Sequence, residues 1–183
     1  MKKAVLAGVL LGFVAVYPVP VRAQKSGVRP AMKRSYVRKD LGFALNSPSG
    51  WLPSKLNSVP GMVIGYYQDT GKRFQPVIGV RAQTAPGPVM PPDLEQVMDR
   101  KYRDFYPSYT SLGTARFKLA GKDAVSIAFT HREQTTDTIV DTRHVYVVHR
   151  GKLMMFEVAA TVDQYDEAVA AFDKMMKSVT FQP

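Results

Sequence analysis

Residues 114–160 read TARFKLAGKDAVSIAFTHREQTTDTIVDTRHVYVVHRGKLMMFEVAA, and this stretch decides the fold. Four runs rich in β-branched and aromatic residues stand out: Thr114 to Leu119, Ala124 to Arg132, Ile139 to Val148 and Leu153 to Ala160. The joints between them are Ala120-Gly121-Lys122-Asp123, Gln134 to Thr138, and His149-Arg150-Gly151-Lys152. Parallel neighbours need a crossover of about a dozen residues or more, so joints this short dictate antiparallel hairpins.

Upstream, Leu41 to Leu45 alternates and stops at Pro48-Ser49-Gly50, with Trp51 directly after the turn. Met62 to Tyr67 and Pro76 to Ala82 read as two more strands around a turn at Asp69-Thr70-Gly71-Lys72. Thr84 to Pro92 carries four prolines and a glycine, which makes it a loop. Such a segment loses little entropy on docking and is a candidate partner contact. Asp93 is placed to cap a helix, with Gln96 as its capping-box partner. Leu94, Val97, Met98, Tyr102 and Phe105 recur at helical spacing, and Pro107 closes that helix.

Downstream, Asp163 is placed to cap a second helix whose buried stripe is Tyr165, Val169, Phe172 and Met176. Ser178 to Phe181 is a closing strand. Strands, helix, antiparallel strands, helix and strand make an α+β domain, with helices covering an antiparallel sheet. One core is expected, holding Phe43, Trp51, Ile127, Phe129, Phe156, Val169 and Phe172.

The 183 residues are 45% hydrophobic and 22% charged, which is a globular composition. No cysteine is present, which excludes disulfides, a thiolate nucleophile, Cys-ligated metal and thiol lipidation. Met1-Lys2-Lys3, the uncharged run Ala4 to Val16, and Val21-Arg22-Ala23 have the three-part layout of a secretory signal peptide cut before Gln24. The apolar run is too short for the ~20 residues of a membrane span. A periplasmic or secreted protein is expected, with residues 1–23 as leader and no transmembrane segment in the mature chain.

The formal charge of +10 is unevenly placed. Residues 24–39 hold Lys25, Arg29, Lys33, Arg34, Arg38 and Lys39 and no acid, whereas residues 40–183 hold 16 basic and 15 acidic side chains. Residues 24–39 therefore read as a flexible basic arm ahead of a nearly neutral domain at 40–183. The arm is a candidate tether to an anionic surface, each cation near anionic lipid contributing ~1 kcal/mol. Nucleic acid is not expected as a partner, because the domain carries no basic face.

Phe43-Ala44-Leu45-Asn46-Ser47-Pro48-Ser49-Gly50-Trp51 resembles the opening strand and Pro-x-Gly-Trp turn of the PsbP/Mog1-like family, whose bacterial relatives include DcrB-like periplasmic proteins. Leu119-Ala120-Gly121-Lys122-Asp123-Ala124, Arg150 to Phe156 and Met176 to Phe181 resemble later motifs of that family in the same order. The resemblance covers about residues 36–183. It implies an αβα sandwich that acts as a binding or assembly module and not as an enzyme, with an unknown envelope protein as partner. Photosynthetic members are extrinsic photosystem subunits, and some are associated with calcium or manganese.

Motifs for catalysis are absent from the sequence: there is no Gly-x-Ser-x-Gly elbow, no phosphate-binding glycine loop and no His-Glu-x-x-His. The polar residues of the central hairpin are the alternative. Strand periodicity puts His131 and Glu133 on one face, and a tight turn near Thr136-Asp137 would set Asp141 and Arg143 opposite them. An imidazole and two carboxylates are ligand types for a divalent metal, and cross-strand ion pairs are the competing role. A metal-dependent enzyme here, or a carrier of a small apolar ligand between sheet and helix, are the readings that compete with the binding module. His144 and His149 fall on alternate faces at ordinary sheet positions.

Overall fold

The computed structural model describes residues 35–54 and 61–182. Ten strands and two helices run in the order β1 (Ser35–Arg38), β2 (Phe43–Asn46), β3 (Leu52–Pro53), β4 (Met62–Tyr67), β5 (Val77–Thr84), α1 (Leu94–Phe105), β6 (Thr110–Leu119), β7 (Lys122–Glu133), β8 (Thr138–His149), β9 (Lys152–Thr161), α2 (Tyr165–Lys177) and β10 (Thr180–Phe181). Seven strands form one sheet in the order β3-β4-β5-β9-β8-β7-β6. All its pairings are antiparallel, as the short joints require. A small second sheet has the order β1-β2-β10.

The sheet is covered on both faces, and the core is accordingly divided. On one face α2 and β2 pack on the even-numbered residues of β9: Phe43, Phe156, Val158, Phe172 and Met176 belong to this layer, with Trp51 and Val169 partly buried against it. On the other face α1 lays Leu94, Met98 and Tyr102, spaced by one helical turn, on Ile127, Phe129, Tyr146 and Met155. The single core expected from periodicity is therefore two layers that share the sheet between them. Strand alternation makes this unavoidable once both faces are covered.

The helix ends differ from expectation. Asp93 sits at φ −107°, ψ 16°, away from the extended geometry of a capping residue, and its side chain makes no cap hydrogen bond. Asp163 lies in a 3₁₀ turn, Val162–Gln164, one turn ahead of α2. Its carboxylate accepts the Thr161 hydroxyl at 2.6 Å and pairs with Lys72 instead.

The fold includes residues ahead of the boundary expected at Asp40. Residues Ser35–Arg38 pair with Asn46–Phe43 as a strand, so the last part of the basic arm is inside the fold. Tyr36 is the reason: its hydroxyl donates to the Val63 carbonyl at 2.8 Å, and its ring packs on Phe43. No helix among the described residues is long and apolar enough to cross a membrane.

Candidate functional site

Lys25, Arg29, Lys33 and Arg34 lie outside the described residues. Of the arm's remaining cations, Arg38 is held by Asp40 through two bonds of 2.8 and 2.7 Å. That pairing brings the Asp40 carboxyl down to about 2 and raises the arginine. The Lys39 carbonyl accepts a bond from Arg150 at 3.1 Å.

The expected metal ligands are not brought together. Strand β7 meets β8 with Thr130 opposite Asp141, His131 opposite Val140 and Glu133 opposite Thr138. Directly paired residues share a face, so Asp141 and Arg143 project to the side away from His131 and Glu133. Each of the three has another role. Glu133 accepts the Thr135 and Thr136 N–H groups at 3.1 and 2.7 Å and the Thr136 hydroxyl at 2.7 Å, closing the hairpin turn. Burial pushes the Glu133 carboxyl up, but these bonds outweigh it and hold it below the ordinary range. Asp141 accepts the Thr130 hydroxyl. His131 is buried, packs in a tilted arrangement with its ring centroid 4.2 Å from that of Tyr106, and reaches the Thr142 hydroxyl at 3.3 Å. Burial lowers its pKa. No group of three potential ligands converges among the described residues.

A different polar assembly occupies the α1 layer. Arg81 on β5 and Glu157 on β9 are both at least 95% buried, and the Arg81 Nε donates to Glu157 Oε1 at 3.2 Å. Glu157 pairs across the sheet with Gly79 on one side and His144 on the other. Its Oε2 stands 3.8 Å from the His144 Nε2. On the far side of the imidazole, Nδ1 lies 2.5 Å from the Tyr102 hydroxyl, which in turn contacts the Tyr146 hydroxyl.

Burial first, then Arg81 and His131, push His144 down to about 3, so its ring is neutral. Burial likewise pushes the Tyr102 and Tyr146 hydroxyls well above their ordinary range. The neutral ring exchanges its hydrogen bond with Tyr102 at Nδ1, while its Nε2 faces the Glu157 carboxylate at 3.8 Å, beyond hydrogen-bond reach. The Tyr146 hydroxyl contacts the Tyr102 hydroxyl and also lies 3.4 Å from His144 Nδ1. The row leaves one cation and one anion, Arg81 and Glu157, facing each other in the core. A charge pair buried this way is tolerated only with close partners, and removing one member is costly.

The sequence carries a signal for this row. Arg81 and Glu157 are single charges inside the apolar runs Val77–Ala82 and Leu153–Ala160, and each sits at a position that strand alternation turns inward. The three histidines separate as follows: His131 and His144 share the α1 face, while His149 is on the other and meets the Gly42 carbonyl at 2.9 Å. His144 and His149 thus lie on alternate faces of β8, as its periodicity predicts.

No family model and no curated protein matches the sequence. Solved structures do match in shape. Cyanobacterial PsbP (CyanoP) from Synechocystis sp. PCC 6803 aligns at a TM-score of 0.62 and 18% identity, covering 87% of this chain and 98% of that one. LpqN, involved in cell envelope biogenesis of Mycobacterium tuberculosis, aligns at 0.62 and 15% identity over 85% and 93%. The Ran-binding protein Mog1p of Saccharomyces cerevisiae aligns at 0.54 and 12% identity over 82% and 96%. Shared architecture at such low identity speaks for the fold alone. With an antiparallel sheet covered by a helix on each face, this chain has the PsbP/Mog1-like α+β fold.

Proposed function

We propose that the chain is an exported binding or assembly module without catalytic activity. One observation carries this reading: Glu157, His144 and His131 are closed beneath α1, and Glu133 is engaged in its own turn. A general acid, base or ligand must reach what it acts on, and these groups reach one another instead. The neighbours in shape lend support, since one is a Ran-binding protein and another takes part in envelope biogenesis.

Export is proposed from the leader pattern of residues 1–23, and a weak tether to an anionic surface from Lys25, Arg29, Lys33 and Arg34. Arg38 contributes little to such a tether, because Asp40 neutralises it. The test is photo-crosslinking of the exported protein in its own cells, followed by mass spectrometry. A discrete envelope protein captured by a chain beginning at Gln24 is the expected result. A chain that retains residues 1–23 and captures nothing overturns the reading.

A further inference from the structure

The two ends of the seven-stranded sheet carry opposite charge. One end holds the hairpin tips at Ala120-Gly121 and Arg150-Gly151, and there β5 closes with Thr84 opposite Lys152. The turn from Lys39 to Gly42 is fastened to this end. His149 Nε2 meets the Gly42 carbonyl at 2.9 Å, and Arg150 donates to the Lys39 carbonyl at 3.1 Å. The His149 ring and the Lys122 amine both face Phe181, 4.8 and 5.8 Å from its ring centroid. Lys39, Lys122 and Lys152 therefore gather at one end, from a turn, β7 and β9, and Lys177 closes α2 beside the tip at Ala120.

None of the ion pairs among the described residues uses these four lysines. The acids nearby are taken: Asp40 by Arg38, Asp123 by Lys118 and Glu95 by Arg116. Asp93 remains, at the start of α1 on the other face of the sheet. β1 leads to the same end, since the Tyr36 hydroxyl donates to the Val63 carbonyl at the start of β4, where Met62 pairs with Arg81. Residues 24–34, with four cations and no acid, directly precede β1. The opposite end of the sheet is the inverse. Asp137 and Asp163 are paired there with Arg132 and Lys72, while Asp69, Asp166 and Glu167 are exposed and in no ion pair among the described residues.

We propose that this basic end seats the domain on an anionic lipid surface, with the acidic end turned away. This rests on the tether reading of residues 24–34 and adds the part of the fold that the tether brings down. The four lysines supplement the tether and do not replace it. Each cation close to anionic lipid adds attraction that fades within a Debye length, so only cations at the contacting end count. Their arrangement favours a plane over a single acidic chain. Lys122 and Lys152 stand on strands separated by β8, about 10 Å apart at the usual strand spacing, and Lys39 and Lys177 belong to other elements. Headgroup phosphates in a plane meet ammonium groups wherever they fall, whereas an extended acidic segment follows one line. Lysines, as flexible point charges, suit the plane. Asp69, Asp166 and Glu167 are repelled by the same surface, which fixes the orientation.

The probe is a vesicle of phosphatidylglycerol and phosphatidylcholine, titrated into the chain beginning at Gln24. Co-sedimentation should show binding at low salt that is lost at high salt and on vesicles of phosphatidylcholine alone. The variant Lys122→Gln, Lys152→Gln, Lys177→Gln should bind roughly tenfold more weakly or worse. A control of equal net charge, Arg73→Gln, Arg103→Gln, Arg132→Gln, removes cations from the opposite end and should bind as the wild type does. Cooperative melts establish that both variants are folded. Amide exchange of the wild type on vesicles needs no variant: it should slow at Gly121 and Gly151 and stay unchanged from Thr135 to Asp137. Equal weakening in the two variants, or slowing confined to Thr135 to Asp137, overturns the seating. Binding to soluble polyglutamate as tight as to vesicles also overturns it, as do copies joined end to end in sedimentation without vesicles, since the lysines would then serve a protein. No vesicle binding by the wild type overturns the tether together with the seating, whereas binding that survives the three lysine substitutions unchanged overturns the seating alone.

Discussion

Glu157 occupies the space that Gly79 leaves by having no side chain. A Cβ built at residue 79 would stand 2.6 Å from Glu157 Oε1 and 3.1 Å from its Cγ. The two residues are cross-strand partners, so the glycine sets where the buried carboxylate lies and therefore whether it meets Arg81.

Gly79→Ala should therefore destabilise the domain by about 1–3 kcal/mol, the usual cost of overpacking a tight site. Glu157→Ala removes the clash but also removes the buried carboxylate that accepts the Arg81 Nε–H, at about 3–5 kcal/mol. The double variant should cost clearly less than the sum, and urea unfolding of the four proteins in a double-mutant cycle measures it. Additive costs would mean that Gly79 serves the backbone and not the carboxylate.

Stability should fall on acidification well before carboxylates begin to protonate. The folded chain holds His144 neutral down to about 3, against 6.5 in an unfolded chain. Between those values the unfolded state binds more protons, so the contribution is complete above pH ~6.5 and is lost as pH drops towards 3. From pH 7 to pH 5 the expected loss from this residue is about 2 kcal/mol. His131 and His149 are also lowered by burial and act in the same direction. His144→Gln should remove most of the slope, as read by urea unfolding at pH 7, 6 and 5.

Glu133→Ala should cost about 1–3 kcal/mol, because it leaves two turn N–H groups and the Thr136 hydroxyl without their acceptor. Manganese or zinc added to the wild-type chain should leave its melting temperature where EDTA leaves it. A metal-induced rise that disappears in Glu133→Ala would restore the hairpin as a metal site.

Two truncations separate the tether from the fold. A chain beginning at Ser35 should melt like one beginning at Gln24 and lose its binding to anionic liposomes at low salt. A chain beginning at Asp40 loses β1, including the Tyr36 bond to Val63, and should melt at a clearly lower temperature. Co-sedimentation with liposomes and thermal melts of the three chains decide it. Equal liposome binding by all three would leave residues 24–34 without the tether role.

The strands and helices were legible in the sequence because their periods are strong. Met62–Tyr67 and Leu94–Phe105 appear with the bounds their periodicity implies, and β7, β8 and β9 extend theirs by one or two residues at each end. The small sheet was not legible. β1 has four residues of half-exposed pattern and is recruited by Tyr36 and β2 rather than by its own alternation. The metal site failed on register. Glu133 pairs with Thr138 across a four-residue turn, which pairs odd residues of β7 with even residues of β8, and a shift of one residue reverses every face. The Arg81 and Glu157 pair was out of reach for another reason. It joins strands 76 residues apart, and no local pattern reports which two inward charges will meet.

The small sheet also determines how the domain meets a pulling force. β1 and β10 flank β2, each antiparallel to it, so they run parallel to one another. Ser35 sits at the Asn46 end of β2 and Phe181 at its Phe43 end. Tension between the N-terminal segment and the C-terminal strand therefore runs along the strand axis and loads these hydrogen bonds together, in shear, instead of peeling them one at a time. A molecule held to a surface by its N-terminal residues and drawn away through its C-terminal end would load β1 and β10 in shear against β2.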